Sequence, residues 1–97
     1  MSNSKIVVAG TFREGYESYF DEYLKRLGTC IEKHHGEIIC RQVAEEHIFG
    51  SNTPRLITVI DFHNQHIAEN IFFEPEYLAL LPLRDKIFVD FRMYLTN

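Results

Sequence analysis

Four stretches of the chain are rich in β-branched and aromatic residues, as strands are. They are Lys5 to Phe12, Glu37 to His47, Arg55 to Phe62 and Lys86 to Leu95. Turn-forming residues crowd the segment from Phe49 to Pro54, between the second and third stretches, and predict a hairpin loop there.

Apolar residues recur at spacings of three and four after the first strand and predict a helix from roughly 14 to 34. This face comprises Tyr16, Phe20, Tyr23, Leu27, Ile31 and His34. Thr11 and Glu14 fit a capping box at the start of the helix. Gly36 is placed to end it.

A second helical region lies between the third and fourth strands. Asn64 is suited to cap a helix that carries Ile67 and Ile71. Pro75 is expected to start a further short helix, and Pro82 to end it.

The order of elements is therefore β-α-β-β-α-β, in one domain over residues 1–97. This order predicts an α+β fold of the ferredoxin-like type with an antiparallel sheet. Right-handed crossovers would place the first and third strands at its centre and the second and fourth at its edges.

Both faces of the predicted sheet are apolar. In the third strand, one face carries Leu56, Thr58, Ile60 and Phe62, and the other carries Ile57, Val59 and Asp61. Both helices should lie on one face, so the other would be exposed in a monomer. A second copy of the chain is the simplest cover, and we expect a homodimer, although long side chains at the edges could instead shield the face of a monomer.

Composition narrows the classes of partner. The net charge is -4, with ten basic residues scattered among fourteen acidic ones, which argues against a nucleic-acid partner. The longest apolar run is too short to cross a bilayer, and the first residues lack the apolar segment of a signal peptide, so we expect no membrane partner and a cytoplasmic location. Cys30 and Cys40 lie beside isoleucines and are expected to be buried thiols.

Two segments resemble a family of small proteins of unknown function in the dimeric α/β-barrel superfamily, related to antibiotic-biosynthesis-monooxygenase-like proteins. They are Pro54 to Phe62 and the stretch from Pro75-Glu-Tyr77 to Arg84. The resemblance extends over nearly the whole chain, through the remaining matches Tyr16, Tyr19, Tyr23, Gly36, Arg41 and Gly50. The chain departs from the family at Glu74, where serine is common, and at Gln42, where glycine is common.

The resemblance implies a dimeric α/β barrel. The superfamily includes cofactor-independent monooxygenases, lactone isomerases and haem-degrading enzymes, so the fold alone does not define the activity.

Arg41 and Asp61 are the first candidate pocket residues. If the hairpin is centred near residue 51, they face each other across neighbouring strands. Each lies in an apolar strand, where a charge needs a partner. The pair could hold an anionic ligand, or it could be a structural ion pair.

Tyr77 and Arg84 are seven residues apart, about two helical turns, so they can share a face. A phenol and a guanidinium would suit a small carboxylate or enolate; otherwise Tyr77 packs in the core and Arg84 anchors the chain. Tyr23 completes the candidate pocket, although a helix-face tyrosine is more often a core residue.

The five histidines do not form a recognisable ligand set. His63 and His66 are three apart and His34 adjoins His35, but nothing completes a site with them, so surface positions are expected. His47 could act as a general base, although a histidine at the end of a strand is more often a surface residue. No phosphate loop or dinucleotide fingerprint occurs, and we expect no cofactor.

Two functions remain open. One is a small-molecule pocket between sheet and helices, in a cofactor-independent enzyme of monooxygenase or isomerase type or in a ligand-binding protein, with a small anionic or aromatic ligand. The other is a non-catalytic dimeric module in which the same charges stabilise the fold.

Overall fold

The computed structural model describes residues 3–44, 48–49 and 55–96. The strands are β1 (Ser4–Phe12), β2 (Glu37–Val43), β3 (Leu56–Phe62) and β4 (Phe88–Thr96). The helices are α1 (Glu17–Lys33), α2 (Gln65–Asn70), α3 (Pro75–Leu78) and α4 (Leu81–Ile87), and a 3-10 turn at Ile71–Phe73 follows α2. Most of the predicted hairpin loop lies outside the described residues.

The four strands form one antiparallel sheet in the order β2-β3-β1-β4. The predicted α+β fold of ferredoxin-like type is therefore confirmed, with the first and third strands at the centre. In β1 and β3 alternate residues are buried, among them Ile6, Val8 and Ile60, while Val7 and Val59 are half-buried on the opposite face. No helix in the described part of the chain is long and apolar enough to cross a membrane.

The hydrophobic core lies between the helices and one face of the sheet. Its largest fully buried side chains are Tyr23, Tyr77, Phe62, Ile60, Ile71, Leu80 and Ile87. Two of these are tyrosines, and a buried phenol requires a hydrogen-bond partner.

Both edge strands contain an irregularity that alters which side chains face the helices. In β2 the register shifts between Ile38 and Cys40, so that Ile38 pairs with Ile60 and Arg41 pairs with Thr58. The extra residue, Ile39, is 52% exposed. Such a bulge places two residues opposite one and breaks the alternation of faces.

The register of β4 against β1 shifts in the same way at Phe12. Phe88 is buried against Gly10, at which a Cβ atom would lie 2.7 Å from the Phe88 ring. Val89 is 56% exposed. Phe88 and Phe91 therefore both contribute to the helix side of the sheet, with ring centroids 4.9 Å apart.

The predicted helix starts at Asn64 and Pro75 are confirmed, whereas the predicted boundaries at Thr11 and Pro82 are wrong. Asn64 caps α2, and its side chain accepts a hydrogen bond of 2.9 Å from the backbone N–H of Ile67. The capping box at Thr11 does not form, because β1 continues through that residue and α1 begins only at Glu17. Pro82 lies in the first turn of α4, where its missing N–H costs nothing, and so begins a helix instead of ending one.

Helix α1 ends at Lys33, and the residue that terminates it is His35, one residue before the predicted Gly36. His35 has φ 59°, in the left-handed region that glycine usually occupies. Its N–H donates to Glu32 O and the N–H of Gly36 donates to Ile31 O, the bond pair of a Schellman motif. Gly36 serves a steric purpose instead, since a Cβ there would lie 2.6 Å from the Phe62 ring.

We predict that His35→Gly raises the free energy of unfolding by about 1 kcal/mol, because glycine adopts the left-handed conformation without the Cβ penalty. Urea unfolding monitored by circular dichroism measures this.

The neighbouring substitution Gly36→Ala is the matched control. It should lower the free energy of unfolding by about 1–3 kcal/mol, because the added methyl group meets Phe62 and Ile31. Shifts of the same sign in both variants would contradict this account of the helix end.

Candidate functional site

Three of the predicted pocket residues come together where α1, α3 and α4 meet. The hydroxyl oxygens of Tyr23 and Tyr77 lie 3.1 Å apart, and Nη1 of Arg84 donates to the Tyr77 oxygen at 3.2 Å. The two tyrosines are 2% and 1% exposed, respectively, and Arg84 is half-buried. Tyr77 and Arg84 are therefore in contact, although they lie on two separate helices, and Tyr23 joins them.

Aromatic rings surround this polar group. The guanidinium carbon of Arg84 lies 4.8 Å from the centroid of the Phe91 ring, which gives the charge a cation–π contact. Phe72 packs edge-on against Tyr77, with centroids 4.9 Å apart. Within the described residues, Arg84 forms no salt bridge with a carboxylate.

Arg41, on β2, lies on the side of the sheet that the helices cover. Its cross-strand partner is Thr58, a buried residue of the central strand β3. The Arg41 side chain is exposed at the sheet edge, and it pairs with no carboxylate in the part of the chain that the structure describes.

The predicted pairing of Arg41 with Asp61 is wrong. Asp61 lies opposite Glu37, not Arg41, and belongs to the sheet face that carries no helix. There its Oδ2 accepts a hydrogen bond of 2.8 Å from Asn3, and Oδ1 lies 3.6 Å from the Lys5 ammonium. The 3.6 Å contact is an ion pair but is too long for a hydrogen bond, so Oδ1 is buried without one among the described residues.

A small, largely enclosed cavity lies between the sheet and α1. It is lined mainly by apolar side chains: Val8, Leu24, Leu27, Leu56, Ile60, Phe72, Phe91 and Met93. Tyr23, Arg41 and Thr58 complete the wall and supply its polar groups. Its volume is about 10 Å³, which is room for about one water molecule.

Thr58 is the cavity residue that the sequence-based reasoning missed. Alternation along the strand places it on the same face as Leu56 and Ile60. A polar side chain between buried apolar neighbours on a central strand was the available signal, because a hydroxyl in such a place needs a partner.

Burial controls the protonation of Tyr23. Burial first, and then the neighbouring Tyr77, raise the pKa of the Tyr23 phenol far above its ordinary value, while the charge of Arg84 opposes the rise. Tyr23 is therefore a neutral hydrogen-bonding group at physiological pH, suited to donate a proton in a hydrogen bond and not to act as a phenolate base.

The two cysteines differ in burial and in position. Cys30 is buried, as predicted, and burial raises the pKa of its thiol. Cys40 is only half-buried and lies on the helix-free face of the sheet, opposite Val59.

Some of the histidines are close together. The rings of His35 and His63 have centroids 6.3 Å apart. Within the described ranges no three His, Cys, Asp or Glu side chains are placed to hold a metal ion. His47 lies outside the described residues.

We predict that stability falls as pH rises above about 10, the ordinary pKa of tyrosine, partly because of Tyr23. The folded protein keeps the proton of Tyr23 while the unfolded chain loses it, so the stability contribution is complete below that pH and decreases above it, by at most about 1.4 kcal/mol per pH unit. Urea unfolding between pH 8 and 11 measures the decrease.

Tyr23→Phe should weaken this dependence, whereas Tyr19→Phe, at an exposed ring, should leave it unchanged. An equal slope in wild type and Tyr23→Phe would show that Tyr23 ionises as readily in the folded protein as in the unfolded chain.

Comparisons with known proteins agree with this architecture. A protein of unknown function from Rhodopseudomonas palustris superposes with a TM-score of 0.80 at 12% identity, covering 96% of this chain and 79% of that one. A dimeric protein of unknown function with a ferredoxin-like fold from Bacteroides fragilis gives 0.67 at 12%, covering 98% and 95%. SnoaB, a cofactor-independent oxygenase from Streptomyces nogalater, gives 0.71 at 10%, covering 100% and 93%.

At these identities the structural matches show the fold alone. No curated protein sequence is significantly similar to the chain. The family model described as "Domain of unknown function (DUF1330)" matches residues 8–95. The resemblance to a family of unknown function is thereby confirmed, and the chain belongs to the DUF1330 family.

Proposed function

We propose that this protein is a cytoplasmic homodimer in which each subunit binds a small anionic molecule with an apolar body, between the sheet and the helices. The ligand is inferred from one observation: Arg41, Thr58 and Tyr23 all line a cavity whose remaining wall is apolar. Such a wall with a few placed polar groups is typical of small-molecule sites. Both cysteines are free thiols, as is usual for proteins of the cytoplasm.

The helix-free face of the sheet supports the dimer. Its centre is made of small and branched apolar side chains: Val7, Ala9, Ile57 and Val59. Charged pairs lie at its margin, Lys5 with Asp61 at one end and Arg92 with Asp90 on the edge strand β4. An apolar centre with a polar rim is the usual anatomy of a protein interface, and the structural neighbour from Bacteroides fragilis is itself dimeric.

We predict a solution mass of about twice 11.4 kDa for the wild type, and about 11.4 kDa for Val59→Asp, because the new charge would be buried at the centre of the interface. Light scattering at micromolar concentration measures both masses, and circular dichroism checks that the variant remains folded.

Phe73→Asp is the matched control, since Phe73 is an exposed apolar residue on the helix side of the molecule, and it should leave the dimer intact. A wild-type mass of one chain would exclude this part of the proposal.

The ligand must displace part of the cavity wall, because the present volume accommodates only water. Met93 and Leu24 are half-buried residues of that wall. Methionine is unbranched and adapts readily to a new neighbour, so rotation of such side chains would admit a small aromatic or aliphatic acid. The exposed guanidinium of Arg41 would then meet the carboxylate at the cavity entrance.

The enzymatic form of this proposal is a cofactor-independent reaction of monooxygenase or isomerase type, and the fold shared with the oxygenase SnoaB supports it. The second candidate is a non-catalytic module, ligand-binding or structural. In support of a binding role for Arg41, its side chain contributes to the cavity wall and is exposed at the sheet edge.

We predict that benzoate stabilises the wild type against thermal unfolding and that its uncharged analogue benzamide does so at least tenfold more weakly. Arg41→Ala should lose the benzoate effect while its own unfolding free energy changes by only about 0.5 kcal/mol. Differential scanning fluorimetry over a ligand titration measures both quantities.

Arg26→Ala is the control, because Arg26 is an exposed arginine on the outer side of α1, paired with Glu22. Steep destabilisation by Arg41→Ala, with no benzoate effect in the wild type, would favour the structural module.

A further inference from the structure

The hydrogen bonds among Arg84, Tyr77 and Tyr23 have a direction. A guanidinium has five N–H donors and no acceptor, so the 3.2 Å contact from Arg84 must use a lone pair of the Tyr77 oxygen. The proton of Tyr77 therefore points away from Arg84.

The Tyr77 proton has one available acceptor. Tyr77 is 1% exposed, and among the described residues its oxygen has only one other hydrogen-bonding neighbour, the Tyr23 oxygen at 3.1 Å. If Tyr23 donated instead, the Tyr77 proton would have no acceptor among the described residues, whereas a Tyr23 proton that is not shared with Tyr77 has the cavity that Tyr23 lines, where a water molecule can accept it. Tyr77 therefore donates to Tyr23.

The proton of Tyr23 must then point away from Tyr77. Tyr23 lines the cavity beneath α1 and is otherwise buried. The cavity has room for about one water molecule, which could accept this proton in the unliganded protein.

We propose that Arg84, Tyr77 and Tyr23 form a one-way donor chain that ends in the cavity, where the Tyr23 hydroxyl donates a hydrogen bond to a carbonyl or enolate oxygen of the ligand. The proposal rests on the proposed function, since it requires that the cavity admit a small molecule. It adds a second recognition element beyond Arg41 and specifies the ligand class: an apolar molecule with an acceptor oxygen on its buried part.

Each residue has a separate role in the chain. Tyr23 touches the ligand, while Tyr77 and Arg84 are positioning residues that set the direction of its proton. Hydrogen bonds in a chain polarise one another, so a donor that is itself hydrogen-bonded by Tyr77 is stronger than an isolated phenol. Because burial keeps the pKa of Tyr23 high, the group remains protonated throughout the physiological range.

The test compares two ligands of nearly the same shape. Acetophenone has a carbonyl oxygen that accepts a hydrogen bond, and α-methylstyrene has a methylene group in its place. We expect the wild type to bind acetophenone about tenfold more tightly, as one hydrogen bond would produce. Tyr23→Phe should remove the preference, and Tyr77→Phe should reduce it to about threefold, as measured by calorimetric titration.

Tyr19→Phe serves as the matched control, because it removes an exposed phenol on the same helix, and it should keep the full preference. A preference that survives in Tyr23→Phe would overturn the proposal. An equal loss of affinity for both ligands in Tyr77→Phe would also overturn it, since that outcome indicates a packing role.

If neither ligand binds the wild type, the donor chain is judged on the unliganded protein, while the proposed function is judged by the benzoate titration. A crystal structure at about 1.2 Å or better should show an acceptor, such as a water molecule, about 2.6–3.0 Å from the Tyr23 oxygen on its cavity side. A Tyr23 oxygen with Tyr77 as its sole polar neighbour would overturn the donor chain independently of any ligand.

Discussion

The architecture of this protein depends on a sheet with two apolar faces and helices on only one of them. Val8 and Ile60 face the helices and are buried, while Val7 and Val59, the residues beside them in the chain, face the other way and are half-buried. Helices of the same chain cover one face, and the cavity lies between them and the sheet. The other face presents branched apolar side chains between charged ends, and the proposed second subunit would complete it.

The central part of the fold follows from local sequence features. Right-handed crossovers predict that β1 and β3 are the central strands, and the apolar character of both their faces agrees with this. Asn64 caps α2 through its own side chain, a local interaction that residue type alone predicts. Pro82 shows the limit of such signals, because proline in the first turn of a helix and proline after a helix look alike in sequence.

The candidate site was harder to predict because it is made of short, separate pieces. Tyr77 and Arg84 are on different helices, α3 and α4, and not on one continuous helix as their spacing suggested. Their contact with Tyr23 depends on how these short helices fold back against α1. Helical periodicity can place Tyr23 on the inner face of α1, but it cannot supply the 3.1 Å contact with Tyr77 that gives the phenol its direction.

A single extra residue in β2 determines on which face of the sheet Arg41 lies. In a regular strand that starts with Ile38 towards the helices, Arg41 would point to the opposite face, three residues later. The bulge at Ile39 reverses this, so Arg41 pairs with Thr58 beside the cavity, and Cys40 and Gln42 pair with Val59 and Ile57 on the helix-free face. Ile39 is as hydrophobic as its neighbours, so alternation counted along the sequence cannot detect the bulge. The same residue thus removes a charge from the proposed interface and supplies a cation to the proposed binding site.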